Sequence, residues 1–316
     1  MAERIAIYLL ICFSIFLGCN NTNIPSEWRV VHLESASRSD IITAAAFGSD
    51  DKGLLITSNR GETLVFSKNE EEEWIQLNQI GHHLHDMKIH NQESLFAVGN
   101  DGTILISESF GNIWEEVDSG TRQPLTALAF GDSSTGVAAG REGTLVRTDN
   151  GGITWNIVES NSESFLRDIV HIGNNTWFAV GSGGTILSSE NDGRVWHSVK
   201  SGTNKNLSSI AFADEKNGFA VGAEGIILRT EDGGATWREL PPIISAGLLS
   251  VRFYDNDKGY IAGFKGSLFS TMNGGKTWQT ENTYTDIGLY TVSFNGEQNV
   301  IVGGELGTIL MNELPK

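Results

Sequence analysis

The stretch GREGTLVRTDNGGITW at residues 140–155 returns along the chain and decides its fold. It recurs as GSGGTILSSENDGRVW at residues 181–196, GAEGIILRTEDGGATW at 222–237 and GFKGSLFSTMNGGKTW at 263–278. Looser copies lie at residues 58–74 and 99–114, and a truncated copy, GELGTILMN, lies at 304–312. From Trp114 to Trp278 the closing tryptophans stand 41 residues apart. A fixed period of this length is the sequence sign of a repeat architecture.

Each repeat contains four short β-strands separated by glycine and Asp/Asn turns. An inner strand such as LTALAF at 125–130 comes first, followed by a GVAAG-type strand, a GTLVRT-type strand and a strand that begins at the closing tryptophan. This pattern predicts an all-β propeller with blades of about 41 residues. Six full repeats run from residue 42 to Trp278, and a seventh begins at Leu289 without a tryptophan strand. We predict a seven-bladed propeller in which the orphan strand at 28–33 completes the last blade and closes the ring.

The turn before each closing tryptophan has its own chemistry. The pattern TEDGGATW at 230–237 resembles the Asp-box, in which an Asp or Asn side chain accepts backbone N–H bonds and glycine takes a positive φ. The tryptophan is expected to pack into the blade interface. We interpret all these residues as structural and non-catalytic; they are Asn150, Trp155, Asn191, Trp196, Asp232, Trp237, Asn273 and Trp278.

The formal charge of −17 on 316 residues argues against a nucleic-acid partner, because phosphate would be repelled. We expect a monomer. Cys12 and Cys19 are the only cysteines, so the mature propeller would have no thiol and no disulfide. A disulfide is not needed, because a large propeller core can stabilise itself.

The N-terminus is interpreted as a targeting segment. Residues 5–17 form an apolar run that is too short to span a membrane and has the length of a signal-peptide core. The following Gly18-Cys19 resembles a bacterial lipobox, which implies cleavage before Cys19 and acylation of its thiol. We therefore predict a leader at 1–18, a lipidated cysteine and polar tether at 19–27 and a propeller at 28–316. This predicts an exported protein, anchored to a bacterial membrane on its periplasmic or cell-surface side. An ordinary signal peptide or an uncleaved anchor is the alternative.

The composite repeat VGxxGTILRTxDGGxTW resembles the photosystem II stability/assembly factor family. Phrases such as FGDSSTGVAAG at 130–140 belong to the same resemblance, which covers residues 28–316. It implies a seven-bladed, non-catalytic scaffold without cofactors, whose partner is a protein, in particular a membrane protein or its precursor. Photosynthetic members hold their partner with an arginine-rich patch. The acidic charge and the lack of an obvious arginine cluster favour a relative from a non-photosynthetic bacterium.

The candidate binding face combines loop and inner-strand residues. Loops that lead into inner strands should share a face with the loops between the second and third strands, and the Asp-box turns should lie opposite. We predict that Arg141 and Lys265 occupy equivalent positions in the second set of loops. The charged inner-strand residues either pair across the channel or form a ligand site, because isolated buried charges are costly; they are His85, Asp86, Arg167, Asp168 and Arg252.

The sequence raises two other chemistries, metal binding and glycoside hydrolysis. His82, His83 and His85 lack the further ligands of a firm metal site, so we predict none. Asp-boxes also occur in sialidases, which keeps a glycoside hydrolase or a glycan-binding module as the alternative function. The arginine motif of sialidases, Arg-Ile-Pro, is absent, and only Asp86 and Asp168 could form an acid pair on the inner strands.

Overall fold

The computed structural model describes residues 28–33, 40–47, 53–59, 62–68, 74–91, 94–295 and 299–314. The predicted leader, Cys19 and the tether lie outside the described residues. Within the described part, the elements are β-strands and four short 3-10 turns, at Asn100–Gly102, Arg141–Gly143, Ser182–Gly184 and Ala223–Gly225. None of the described helices has the length and apolar character needed to cross a membrane.

The described strands form seven antiparallel sheets of four strands each. The first strand is β1 (Arg29–His32). Blade 1 contains β2 (Ile41–Phe47), β3 (Gly53–Asn59), β4 (Glu62–Lys68) and β5 (Trp74–Ile80); blade 2 contains β6 (Leu84–His90), β7 (Ser94–Gly99), β8 (Ile104–Ser107) and β9 (Glu115–Val117). Blade 3 contains β10 (Leu125–Phe130), β11 (Gly136–Gly140), β12 (Leu145–Thr148) and β13 (Asn156–Val158); blade 4 contains β14 (Leu166–His171), β15 (Trp177–Gly181), β16 (Ile186–Ser189) and β17 (His197–Val199). Blade 5 contains β18 (Leu207–Phe212), β19 (Gly218–Gly222), β20 (Ile227–Thr230) and β21 (Arg238–Glu239); blade 6 contains β22 (Leu248–Phe253), β23 (Lys258–Gly263), β24 (Leu268–Met272) and β25 (Gln279–Thr280). Blade 7 contains β26 (Leu289–Phe294), β27 (Asn299–Gly304) and β28 (Thr308–Glu313), and β1 is its fourth strand.

The seven sheets are arranged in a ring. Each inner strand contacts the inner strand of the next blade, and β26 contacts β2, so that the series returns to its start. The buried hydrophobic residues form seven clusters, each between two neighbouring sheets. The all-β propeller of four-stranded blades predicted from the repeat is therefore confirmed.

The strand at residues 28–33 pairs with the last strand of the chain. In β1, Arg29 lies opposite Met311 and His32 lies opposite Thr308. Trp28 is 6% exposed and its ring meets Tyr260 edge-on at 5.9 Å, while Leu33 is 4% exposed in the cluster between blades 7 and 1. This short strand thus covers the open edge of blade 7 and contributes to two inter-blade cores.

The Asp-box turns are closed by hydrogen bonds between side chains and backbone. In blade 5, Asp232 Oδ1 accepts the backbone N–H of Thr236 at 2.9 Å, and Thr230 Oγ1 accepts the N–H of Gly234 at 2.9 Å. Trp237 Nε1 donates to the Gly234 carbonyl at 3.1 Å. Gly234 has a φ of +86°, and a Cβ there would lie 2.2 Å from the Phe178 ring of blade 4, so no other residue fits. The side chains of Asn150, Asn191 and Asn273 accept the equivalent N–H bonds at 2.9–3.0 Å.

The closing tryptophans pack between blades. Trp196 is fully buried, Trp155 is 5% exposed and Trp237 is 9% exposed. Trp278 packs in the cluster between blades 5 and 6, and no described group accepts a hydrogen bond from its Nε1. These tryptophans therefore contribute to the cores between blades.

Thr230→Val is expected to lower the free energy of unfolding by about 1–3 kcal/mol, because valine leaves the Gly234 N–H buried without an acceptor. Thr236→Val on the exposed side of the same turn is the matched control. Its effect should be about 0.5 kcal/mol or less. Denaturant unfolding of both variants measures this difference, and equal losses would contradict the assigned role of the Thr230 hydroxyl.

Candidate functional site

The inner strands surround a central cavity of about 390 Å³. Every inner strand contains a register shift, after the second paired residue in β2 and after the first in the other six, so that the next residue is an extra one. Such a bulge re-aims side chains, and here the bulged residue and the one after it both line the cavity. The bulged residues are Thr43, His85, Thr126, Arg167, Ser208, Leu249 and Tyr290.

Side chains that follow the bulge tie neighbouring blades together. Asp86 Oδ2 accepts the backbone N–H of Leu128 in blade 3 at 2.9 Å, and Asp168 Oδ2 accepts that of Ile210 in blade 5 at 3.0 Å. The hydroxyls of Ser209 and Ser250 accept N–H bonds from the next blade in the same way, at 3.1 and 3.2 Å. Both inner-strand aspartates therefore contribute to the cohesion of the ring.

The same aspartates neutralise two cations in the channel. Asp168 Oδ2 lies 2.9 Å from Arg252 Nη1 two blades away, and Asp86 Oδ1 lies 2.6 Å from Lys88 Nζ on its own strand. Burial alone would raise the pKa of Asp168, but Arg252 and the hydrogen bonds of Ser209 and Ile210 lower it below its ordinary value. The sequence left open whether the inner-strand charges pair with one another or form a ligand site. In the structure Asp86 pairs with Lys88, and Asp168 pairs with Arg252.

Arg167 has a different environment from the paired charges. Its guanidinium lies over the Phe165 ring, 4.5 Å from the centroid, and Arg141 lies over the same ring at 5.2 Å. Within the described part of the chain, neither arginine has a carboxylate within 4 Å. Burial, with a smaller effect from Arg141, lowers the pKa of Arg167, and its buried Nε has no hydrogen-bond partner. The structure thus assembles an arginine pair that the sequence analysis did not recognise.

His85 lies beside this pair. Its Nε2 is 2.8 Å from Asn100 Oδ1, and its ring lies 4.9 Å from that of His83. Burial lowers the pKa of His85 and Arg141 contributes in the same direction, although the hydrogen bond to Asn100 and the charge of Asp86 oppose this effect. Neighbouring His82 bonds to Thr103 at 3.1 Å. The described residues contain no group of three or more His, Cys, Asp or Glu side chains that could hold a metal ion.

The loops of the mouth position Arg141 and Lys265 differently. Arg141 is the first residue after Gly140, and its N–H donates to the Pro124 carbonyl at 3.0 Å, just before the inner strand. A Cβ on Gly140 would lie 2.0 Å from that carbonyl oxygen, which explains the glycine. Lys265 is the second residue of its loop, with a φ of +58°, and is equivalent to Glu142. The prediction that Arg141 and Lys265 occupy equivalent positions is therefore wrong, although both lie on the predicted loop face.

The mouth has a distinct far side, opposite the arginine pair. Tyr290 Oη donates to Glu305 Oε1 at 3.3 Å, and the Tyr290 ring meets Phe264 edge-on at 5.9 Å. Burial and Glu305 raise the pKa of Tyr290. One side of the mouth is therefore cationic, and the other is aromatic with a carboxylate that is already bonded.

Phe165 was missed in the sequence analysis. It lies two positions before the bulged residue of its inner strand, where the equivalent residues are Ile41, His83, Pro124, Asn206, Gly247 and Gly288. Phe165 is the sole phenylalanine in this set, and two arginines pack on it. Comparing the repeats for residues that depart from the pattern would have found it.

The fold and site define a β-propeller with Asp-box turns and a polar channel whose mouth carries unpaired cationic groups. The profile of the family described as photosynthesis system II assembly factor YCF48 matches residues 25–149, 110–203, 154–230, 188–244 and 237–313. These matches cover nearly the whole propeller. The chain belongs to this family, as the resemblance of its repeats suggested.

Solved structures show the same fold. A structure described as YCF48 bound to D1 peptide has 17% identity and a TM-score of 0.73, covering 92% of this chain and 95% of that one. YCF48 from Cyanidioschyzon merolae has 18% identity and a TM-score of 0.72, covering 91% and 98%. Virginiamycin B lyase from Staphylococcus aureus has 11% identity and a TM-score of 0.77, covering 92% and 100%. No curated protein matches the chain in sequence. Since an enzyme shares this fold, the fold alone does not separate binding from catalysis.

Proposed function

We propose that this protein is a non-catalytic assembly or stability factor that holds a carboxylate-bearing segment of a protein partner at the channel mouth. The observation that carries the proposal is the Arg141–Arg167 pair on Phe165, without a carboxylate partner among the described residues. Guanidinium groups bind carboxylates with two parallel hydrogen bonds, and such charge-assisted bonds are the strong ones. Family membership and the D1 peptide in a structural relative support a partner that is a protein.

The partner is proposed to be a membrane protein or its precursor. The apolar run at 5–17 and the lipobox-like Gly18-Cys19 support an exported protein with an acylated Cys19, tethered to a bacterial membrane through residues 19–27. The propeller then acts as a monomer without a cofactor. Its net charge of −17 supports a partner other than nucleic acid.

The surroundings of the inner-strand aspartates weigh against the glycoside hydrolase alternative. A hydrolase needs one carboxyl group as acid and a second as base or nucleophile. Asp86 accepts the Leu128 N–H and pairs with Lys88, and Asp168 accepts three N–H or O–H bonds and pairs with Arg252. Neither carboxylate is available to donate a proton while these contacts persist.

The Arg141→Gln/Arg167→Gln double variant is expected to lose protein binding. Crosslinking in native membranes, followed by identification of the captured proteins, should show capture lowered about tenfold or more, because two charge-assisted contacts are removed. Arg238→Gln is the matched control, since Arg238 is an exposed arginine that pairs with Glu231 at the Asp-box end. Its capture should equal that of the unmodified protein.

Three results would oppose the proposal. Undiminished capture by a folded double variant would move the binding site away from the mouth. Capture that does not exceed that of a Cys19→Ala variant would reject the membrane-assembly role. Turnover of glycosides that disappears in Asp168→Asn would favour the hydrolase instead.

A further inference from the structure

The directions of β28 and β1 show where the propeller begins. It begins at the face that carries the Asp-box turns, which we call the Asp-box face. Thr308 follows the loop of residues 305–307 at the channel-mouth face, and it lies opposite His32. Arg29 lies opposite Met311, three residues further toward the other face. Residue 28 therefore enters the fold at the face that carries the Asp-box turns, away from the arginine pair.

Four exposed aliphatic side chains project from the same face. On the Asp-box turns of blades 2, 3 and 4, Ile113 is 67% exposed, Ile153 is 75% exposed and Val195 is 45% exposed. Met272, at the end of β24 in blade 6, is 42% exposed. These residues are distributed around the ring, largely across from the point where β1 joins it.

The turn itself does not require aliphatic residues at these positions. Other blades have Thr154, Thr236 and Thr277 where Ile113 and Val195 stand, and Arg194, Ala235 and Lys276 where Ile153 stands. Met272 replaces acidic residues, which are Glu108, Asp149, Glu190 and Glu231 in blades 2–5. The apolar groups are therefore a property of the face and not of the repeat.

Several charges of the rim are neutralised locally. Asp149 lies 3.4 Å from Arg147, and Asp192 lies 3.5 Å from Arg194. Glu231 contacts both Arg229, at 3.0 Å, and Arg238, at 3.2 Å. A rim of ion pairs with projecting aliphatic groups suits a zwitterionic lipid surface better than an anionic one, which the remaining acids would repel.

The length of the tether favours the same orientation. Eight residues separate Cys19 from Trp28, and a fully extended chain of that length reaches at most about 29 Å. Turning the channel mouth toward the membrane would require this tether to pass along the blade first, over about 20 Å of strand.

We propose that the Asp-box face lies on a zwitterionic bilayer surface, with Ile113, Ile153, Val195 and Met272 among the lipid headgroups and the channel mouth facing the aqueous phase. The inference rests on the membrane tether of the proposed function. It adds an orientation and a lipid contact that the tether alone does not require.

Site-specific fluorescence tests the orientation. The full chain, with Cys12→Ser, carries an environment-sensitive fluorophore at Ile153→Cys or, as the matched control, at Ile243→Cys, which is 39% exposed on the channel-mouth face. Both proteins are reconstituted in phosphatidylcholine vesicles that contain spin-labelled lipid. Quenching at position 153 should exceed that at position 243 about threefold or more, since the face is expected to enter the headgroup region. Both positions are exposed, so that folding should survive.

The outcomes separate the two proposals. Equal quenching, or stronger quenching at position 243, overturns the orientation. The label at position 153 could also be shielded without vesicles, in a protein that light scattering shows to be dimeric. That result would assign this face to a second copy of the chain and would also overturn the orientation. Mass spectrometry of Cys19 reports on the anchor independently: an acylated Cys19 with equal quenching refutes the lipid contact alone, whereas a free thiol refutes the predicted anchor.

Discussion

Removal of residues 1–33 is expected to abolish the cooperative unfolding transition of the protein. A chain that lacks only residues 1–27 is expected to retain this transition. The two chains differ by the six residues that contain β1. Without them, the open edge of β28 loses a four-residue ladder, and the clusters on both sides of blade 7 lose Trp28 and Leu33. Burial of each of these side chains contributes about 2–5 kcal/mol, which together approaches the 5–15 kcal/mol that stabilises a typical domain.

Calorimetry and near-ultraviolet circular dichroism would measure this effect. The longer chain should give one sharp transition, and the shorter chain should give a broad transition or none and bind a hydrophobic dye. If both chains unfold with the same midpoint, β1 is an accessory strand and the ring does not depend on its closure.

Asp168→Ala is expected to destabilise the protein by about 3 kcal/mol. The change leaves Arg252 without its carboxylate, and removing one partner of a buried pair costs about 3–5 kcal/mol. We place the effect at the lower limit because the Arg252 side chain retains 32% exposure to the channel. The Ile210 N–H and the Ser209 hydroxyl also lose their acceptor.

The double variant Asp168→Ser/Arg252→Ala is the matched control. It introduces the residues that β18 of blade 5 has at the same positions, Ser209 and Ala211. Serine retains an oxygen for the blade-to-blade hydrogen bond, and no cation is left unpaired. This variant should recover about 1–3 kcal/mol relative to Asp168→Ala, as contacting residues usually couple by that amount. Additive losses would mean that the ion pair does not act as a unit.

The Asp168 contribution should depend on pH. Because the pKa of Asp168 is lower in the folded protein, the carboxylate stabilises the fold above its unfolded pKa of about 3.9. That contribution is lost as the pH falls toward the folded pKa. The difference in unfolding free energy between the unmodified protein and Asp168→Ala should therefore be constant near pH 7 and shrink below about pH 4. A difference that grows with acidity would contradict this assignment.

The repeat was sufficient to predict the blades, because each turn and strand depends mainly on residues within one period. The Asp-box residue Asp232, for example, bonds to neighbours two and four positions away. The channel pairs were beyond such reasoning. Asp168 and Arg252 are 84 residues apart, and their contact depends on how two blades are oriented around the axis.

The arginine pair was missed for a different reason. Arg141 and Arg167 are 26 positions apart in the sequence and meet through Phe165, a loop residue outside the strand pattern. The error over Lys265 arose from one backbone conformation: in the described loops of blades 2–7 the second residue is left-handed, so that adjacent residues point in different directions. Residue types alone do not reveal which of these two adjacent loop residues is turned toward the channel.

The pairing of β1 with β28 also sets an order of events in biosynthesis. β1 leaves the ribosome well before β28 and cannot be paired until β28 has also emerged. During that time the ring cannot close, and incompletely folded chains of this kind are prone to aggregation. A chain cut short before Thr308 would leave β1 without its pairing strand.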